Sequence, residues 1–255
     1  MPVRNDVRAV DAKRLDAFVD SAFAFAVTLL VIAGAAPPVD VEGLREAVAR
    51  VPAFAGGLTL IMSFWLGHRR FGVLAERRDA VCDGLSLAIV AVVLVYVYPL
   101  RLLAESVAHW LSAGMLPGRG LLIEDLRTLY AVYGAGFAVL SLLYAGLFGR
   151  VAWRVGNLGI EPWQREAARM AALGWMFAAG VGLLSLAMAS VAAVMQAPWL
   201  PGAVYGLIPL WLGGRALTRA RRRRSGSRSS HHHHGGGGGS AGDGERADGI
   251  GDQGS

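Results

Sequence analysis

Asp16 and Asp20 stand four residues apart near the start of "RLDAFVDSAFAFAVTLLVIAG", Arg14 to Gly34, a stretch otherwise apolar enough to enter lipid. That spacing puts both carboxylates on one helix face. A carboxylate close to hydrocarbon needs an opposite charge, a donor or water, and such groups mark ion and proton paths. The second apolar stretch, "SFWLGHRRFGVL", offers Trp65, His68, Arg69 and Arg70 as neighbours. The sequence therefore predicts an Asp20–Arg69 or Asp20–His68 contact. Asp16, nearer the helix start, is expected in the headgroup region, where a carboxylate favours a helix N-terminus.

Other chemistries find no residues to carry them. Cys82 is the single cysteine, so no disulfide and no cysteine-based zinc or iron–sulfur site can form within one chain. It reads as a small buried side chain. His68 has no second histidine within a helical turn and reads as a hydrogen-bonding scaffold residue, and Trp65 reads as packing. The run His231–His234 belongs to a low-complexity tail rather than a metal site. With no nucleophilic or metal-binding set in view, neither an enzyme nor a cofactor is expected.

These residues must be positioned by membrane helices. The chain is 54% hydrophobic and 17% charged over 255 residues, apolar for a soluble protein. A span needs about 20 apolar residues to cross roughly 30 Å of hydrocarbon. Six stretches approach this: 16–36, 52–74, 81–103, 128–149, 167–196 and 199–217. The fifth is long and must tilt or begin outside the membrane. The first, with its basic lead and "AGAA" end, also resembles a signal peptide, but its carboxylates and the five later spans favour a retained helix. Pro99 is expected to kink or end the third span, and Tyr96, Tyr98 and Trp110 to form an interfacial aromatic belt. The spans show no internal repeat, which argues against an inverted-repeat transporter.

Charge sets the orientation. The lead, the second and fourth connections and the C-terminal flank carry 18 Lys and Arg residues, against 5 on the other side: Arg45, Arg50, Arg101, Arg119 and Arg127. The positive-inside rule then places both termini in the cytoplasm. The basic balance is thereby accounted for without nucleic acid, and the run Arg221–Arg224 is expected to touch anionic lipid headgroups. The chain divides into a lead (1–15), a six-helix transmembrane domain (16–217) and a disordered basic, then Gly/Ser-rich, tail (218–255). "APPVDVEGLREAVARVP" reads as an outer loop with a short helix, and "SAGMLPGRGLLIEDLRTLY" as a second outer loop.

Within the first span, Phe18, Ala22, Phe25, Leu29 and Ile32 form an apolar stripe with Thr28 at its edge. Phe25 lies about 140° round the helix from Asp20. An aspartate face turned toward the second span would leave this stripe facing another subunit, lipid or a pore.

The residues now carry a resemblance. "RLDAFVDSAFAFAVTLLVI" resembles the first-helix signature of the transmembrane protein 175 family, the endosomal/lysosomal potassium channels and their bacterial homologues. That signature is Arg, three residues, Phe-Ser-Asp, then an apolar run with a threonine; it falls on Arg14, Phe18, Val19, Asp20 and Thr28. "WLGHRRF" resembles a second signature, on Trp65, His68, Arg69 and Phe71. The resemblance implies a six-helix, all-α membrane protein of the bacterial inner membrane that assembles as a homotetramer. The first helix of each subunit would line the pore. It implies a potassium-selective cation channel, with monovalent cations as permeant species. Phe25 would form the hydrophobic constriction, and Thr28, Leu29 and Ile32 would line the path. Arg14, Asp20, Trp65, His68 and Arg69 would form a polar network behind the pore. Two positions depart from the pattern: Val19 replaces the motif serine, and Phe25 replaces the usual Ile or Leu. The competing readings are a proton-coupled small-solute transporter relaying through Asp20 and His68, and a non-conducting membrane scaffold.

Overall fold

A computed structural model describes residues 3–32, 37–75, 78–118, 122–153, 161–191, 196–197 and 199–211, with the side chains of the first helix from Val10 onward. The described residues are mostly helical, with no strand among them. In order they form α1 (Val3–Ile32), α2 (Val41–Ala49), α3 (Val51–Leu74), α4 (Ala80–Leu111), α5 (Ile123–Trp153), α6 (Pro162–Ser190) and α7 (Leu200–Ala203).

Local sequence explains where these helices start and stop. Asp40 caps α2, its carboxylate accepting from the Gly43 N–H at 2.7 Å, and Pro52 suits the first turn of α3, where an N–H has no partner to lose. Asp79 caps α4 by accepting from the Cys82 N–H at 3.0 Å. Glu124 and Asp125 lie in the first turn of α5 and Arg150 in its last, each complementing the helix dipole. Past α4 the chain reverses through Ala113 and Gly114, both at positive φ.

Five described helices are long and apolar enough to cross a membrane: Val10–Ile32, Val51–Leu74, Ala80–Leu111, Ile123–Trp153 and Pro162–Ser190. The expected sixth span, 199–217, begins as the shorter apolar helix Leu200–Trp211; residues 212–217 and the tail at 218–255 lie outside the described residues. Several boundaries are corrected: the first span begins by Val10 instead of 16, the fourth runs to Trp153 instead of 149, and the fifth ends at Ser190 instead of 196. The third span runs to Leu111 instead of 103, because Pro99 stays inside α4 rather than ending it. The fourth starts at Ile123 and the fifth at Pro162, each about five residues early, since their polar first turns are good helix starters.

The core lies within the compact unit ending at Ile208. The interface of α5 with α6 is the most extensive. It is close because glycine faces backbone: a Cβ on Gly134 would sit 2.9 Å from the Gly182 carbonyl oxygen, and one on Gly182 only 3.0 Å from the Ala138 nitrogen. Small residues drive such close crossings in lipid, where water offers no force between helices. Beside it, Trp175 stacks on Tyr144 and Phe64, and the Tyr144 hydroxyl donates to the Phe64 carbonyl at 2.6 Å. Tyr96 belongs to this interior and not to an interfacial belt. It is buried, stacks on Tyr133 and donates to the Tyr133 carbonyl. Tyr98 and Trp110 are exposed.

Candidate pore-lining site

The burial pattern of α1 divides the helix into faces. Val19, Phe23, Ala26 and Leu30 are buried at steps of four, three and four, a continuous stripe on one side of a helix. They pack into the core shared with α3 and α4. The opposite side has no partner among the described residues: Phe18, Phe25 and Ile32 are 53%, 55% and 63% exposed. Ser21 and Thr28 are exposed on the same side, while Leu29 is partly buried against the core, at the edge of that face.

Ser21 was not singled out by the sequence, although its spacing of four before Phe25 and seven before Thr28 places it on the stripe. Its hydroxyl donates to the Ala17 carbonyl at 2.8 Å, and that of Thr28 donates to Ala24 at 3.1 Å. Each hydroxyl proton is thus committed to the helix, leaving oxygen lone pairs to serve as acceptors. The face therefore offers an aromatic ring at Phe25 with an acceptor oxygen one turn to either side.

Behind this face the polar residues sort into separate contacts. Asp20 turns toward α3, as its position predicts, but its donor is the Trp65 indole: Nε1–H donates to Oδ1 at 2.8 Å. The ion pairs among the described residues include none between Asp20 and Arg69 or His68, which corrects the expected pairing. The guanidinium of Arg69 lies over the Trp65 ring, 5.0 Å from its centroid. Trp65 thus joins Asp20 on one edge to Arg69 on one face, and does more than pack. His68 is buried and turns to α4, its Nε2 lying 3.1 Å from the Ser86 hydroxyl. That suits the scaffold role read from the sequence. Arg14 is exposed.

Asp16 has a partner that the sequence did not supply. It receives a bidentate pair from Arg78, Nη1 to Oδ1 at 2.6 Å and Nη2 to Oδ2 at 2.7 Å. The Arg78 side chain is 3% exposed and also lies over the Phe71 ring. Next in the chain, Asp79 accepts from Arg150 on α5 at 2.8 and 3.0 Å while capping α4. Partial burial alone would push the Asp79 carboxyl up; the bonds from Cys82 and Arg150 outweigh this and hold it at about 2.

At the other end of α1, Arg101 on α4 donates through Nη1 to the Leu30 and Val31 carbonyls at 3.3 and 3.2 Å, and through Nε to Glu105 at 2.9 Å. Cys82 is buried and free. No cluster of three or more potential metal-ligating side chains occurs among the described residues.

Comparisons with known proteins fall on this same region. Residues 14–99, from Arg14 through α3 and most of α4, match the family described as endosomal/lysosomal potassium channel TMEM175. A potassium channel of Marivirga tractuosa is 27% identical over 190 residues, covering 70% of this chain and 75% of that one. Among solved structures, a single-residue variant of the potassium channel MtTMEM175, crystallised with a nanobody–MBP fusion, aligns with a TM-score of 0.70 at 25% identity. That alignment covers 81% of this chain and 93% of the other. A lysosomal potassium-selective channel TMEM175 homologue from Chamaesiphon minutus shares the fold, with a TM-score of 0.56 at 22% identity over 81% and 98% of the two chains.

Proposed function

We propose that the chain, whose residues 14–99 match the TMEM175 family, is a member of that family and a potassium-selective cation channel of the bacterial inner membrane, assembled as a homotetramer with α1 of each copy around the pore. The observation that carries this reading is the face of α1 bearing Phe18, Phe25 and Ile32. It is apolar, exposed in one protomer and lies opposite the buried stripe.

Four copies around an axis would bring Phe25 together as a ring. An apolar ring can shut a pore by dewetting. An ion crossing it must shed part of its hydration, and potassium gives up water more readily than sodium, so a narrow ring discriminates without a carbonyl filter. Ser21 and Thr28 would offer oxygen to the ion on either side of the ring. With Val19 in place of the motif serine, one hydroxyl is absent behind the pore, while Asp20, Trp65 and Arg69 retain their contacts to each other. Both termini lie in the cytoplasm in this reading. Two of the five arginines counted against that orientation are engaged at helix ends rather than free: Arg101 on α1, and Arg127 donating to the Ser190 carbonyl of α6 at 2.7 Å.

Planar-bilayer recording of the purified protein between opposing potassium and sodium solutions tests the proposal. A reversal potential displaced toward the potassium equilibrium value is expected. Uptake coupled to a pH gradient would instead support a proton-coupled transporter, and correctly assembled protein that passes no ion would support a scaffold.

A further inference from the structure

The helix assigned to the pore is gripped at two places by arginines: Asp16, near its midpoint, by Arg78 in the connection between α3 and α4, and its last turn by Arg101 of α4. Arg78, two residues before α4 begins, holds Asp16 through two parallel hydrogen bonds of 2.6 and 2.7 Å. The Arg78 Nε–H also donates to the Ala75 carbonyl, and its guanidinium lies against Phe71, so the fork is fixed before it meets the carboxylate. At the far end, Arg101 donates to the carbonyls of Leu30 and Val31. These are among the last four carbonyls of α1, which have no partner within the helix and carry its negative dipole end. Glu105, one turn on, aligns that guanidinium, and both side chains are mostly buried. Between the two grips the buried stripe of α1 packs on α3 and α4.

We propose that Arg78 and Arg101 are positioning residues for ion selection, clamping α1 to the α3–α4 junction at one point and to α4 at the other, so that these two grips fix the depth and tilt of the face carrying Phe25. The proposal rests on α1 lining the pore. Neither arginine belongs to the signatures at Arg14–Thr28 or Trp65–Phe71. Both grips need the planar guanidinium fork: one meets two carboxylate oxygens, the other serves two carbonyls and Glu105 together. An ammonium in the same place cannot reproduce this geometry.

The test combines three measurements on the full-length protein in one lipid mixture: tetramer mass, potassium-to-sodium reversal potential, and hydrogen exchange in α1. Arg101→Met keeps the stem and removes the fork. It should leave the tetramer intact, raise exchange in the last turn of α1 and move the reversal potential toward zero, and Arg101→Lys should restore these only in part. At the Asp16 grip, Asp16→Arg and Arg78→Asp should each lower selectivity and raise exchange around residue 16, and the double exchange of the two should recover both. A fall in melting temperature with unchanged reversal potential and unchanged α1 exchange would reduce the arginines to ordinary stabilising contacts and overturn the clamp. So would a double exchange that recovers nothing. If the parent passes no potassium, the channel reading fails on its own, and the exchange measurements still decide whether the grips hold α1.

Discussion

Among the described residues Asp20 accepts a hydrogen bond from an indole and not from a cation, and this changes what its loss should do. An exposed aspartate paired with arginine would leave an uncompensated charge when removed. Here the partner is neutral, and Arg69 is linked to Asp20 only through the Trp65 ring. Trp65→Phe keeps a ring for Arg69 and deletes the donor. With the bond near solvent, the expected loss is about 1 kcal/mol per protomer, read as a small fall in melting temperature with the tetramer retained. A collapse of folding would mean that Trp65 acts mainly through packing. At Phe25, half-exposed in the protomer, the expectation is the reverse of a core phenylalanine. Truncating a buried Phe typically costs about 3–5 kcal/mol. Phe25→Ala should melt like the parent, carry more cation current and discriminate less between potassium and sodium, while Phe25→Leu should keep selectivity. Well-folded Phe25→Ala channels with unaltered currents would remove Phe25 from the constriction. The exposure of Phe25 and Ile32 was legible in the sequence because it follows helical periodicity. The partner of Asp16 was not, since Arg78 lies in the connection between α3 and α4, 62 residues away, and no spacing rule connects them.

The helices themselves were legible by length and hydropathy, and their junctions less so. Pro99 reads as a terminator, yet α4 continues for another 12 residues to Leu111, because neighbouring helices tolerate a proline within an apolar span. Arg101 and Arg127 read as exceptions to a charge count; in the structure each meets the carbonyls at the end of another helix. Asp79 joins two elements at once, capping α4 and holding Arg150 of α5. Its carboxyl is held at about 2, below the ordinary 3.8. A depressed carboxyl stabilises the fold fully above its unfolded value and loses that contribution as pH falls through the folded one. Asp79→Asn keeps an acceptor for the Cys82 N–H and removes the charge facing Arg150. The difference in melting temperature between parent and Asp79→Asn should stay constant from pH 7 to 5 and narrow only below about pH 4. A difference that vanishes by pH 5 would show that the Asp79–Arg150 pair contributes nothing through its charge.

For the whole molecule, the unburied side of α1 is the feature one protomer does not explain. A span in contact with lipid also exposes apolar side chains, so exposure alone does not separate lipid from a pore. The two hydroxyls on that side, Ser21 and Thr28, and the match of residues 14–99 to a channel family favour the pore. Mass measurement in mild detergent should give a tetramer, and a stable monomer or dimer would remove the pore as described. Water access then separates pore from lipid. In a Cys82→Ser background, which removes the single native thiol, Ile32→Cys at the end of the exposed face should react with a charged, membrane-impermeant thiol reagent and lose current as it does so. Val95→Cys, at a 71% exposed position of α4, should stay unreacted under the same treatment, because a thiol in a dry, apolar setting is held as the unreactive neutral form. Equal protection of both positions in assembled tetramers would place the α1 face against lipid or a dry interface, and the path for the ion would have to be sought on another helix.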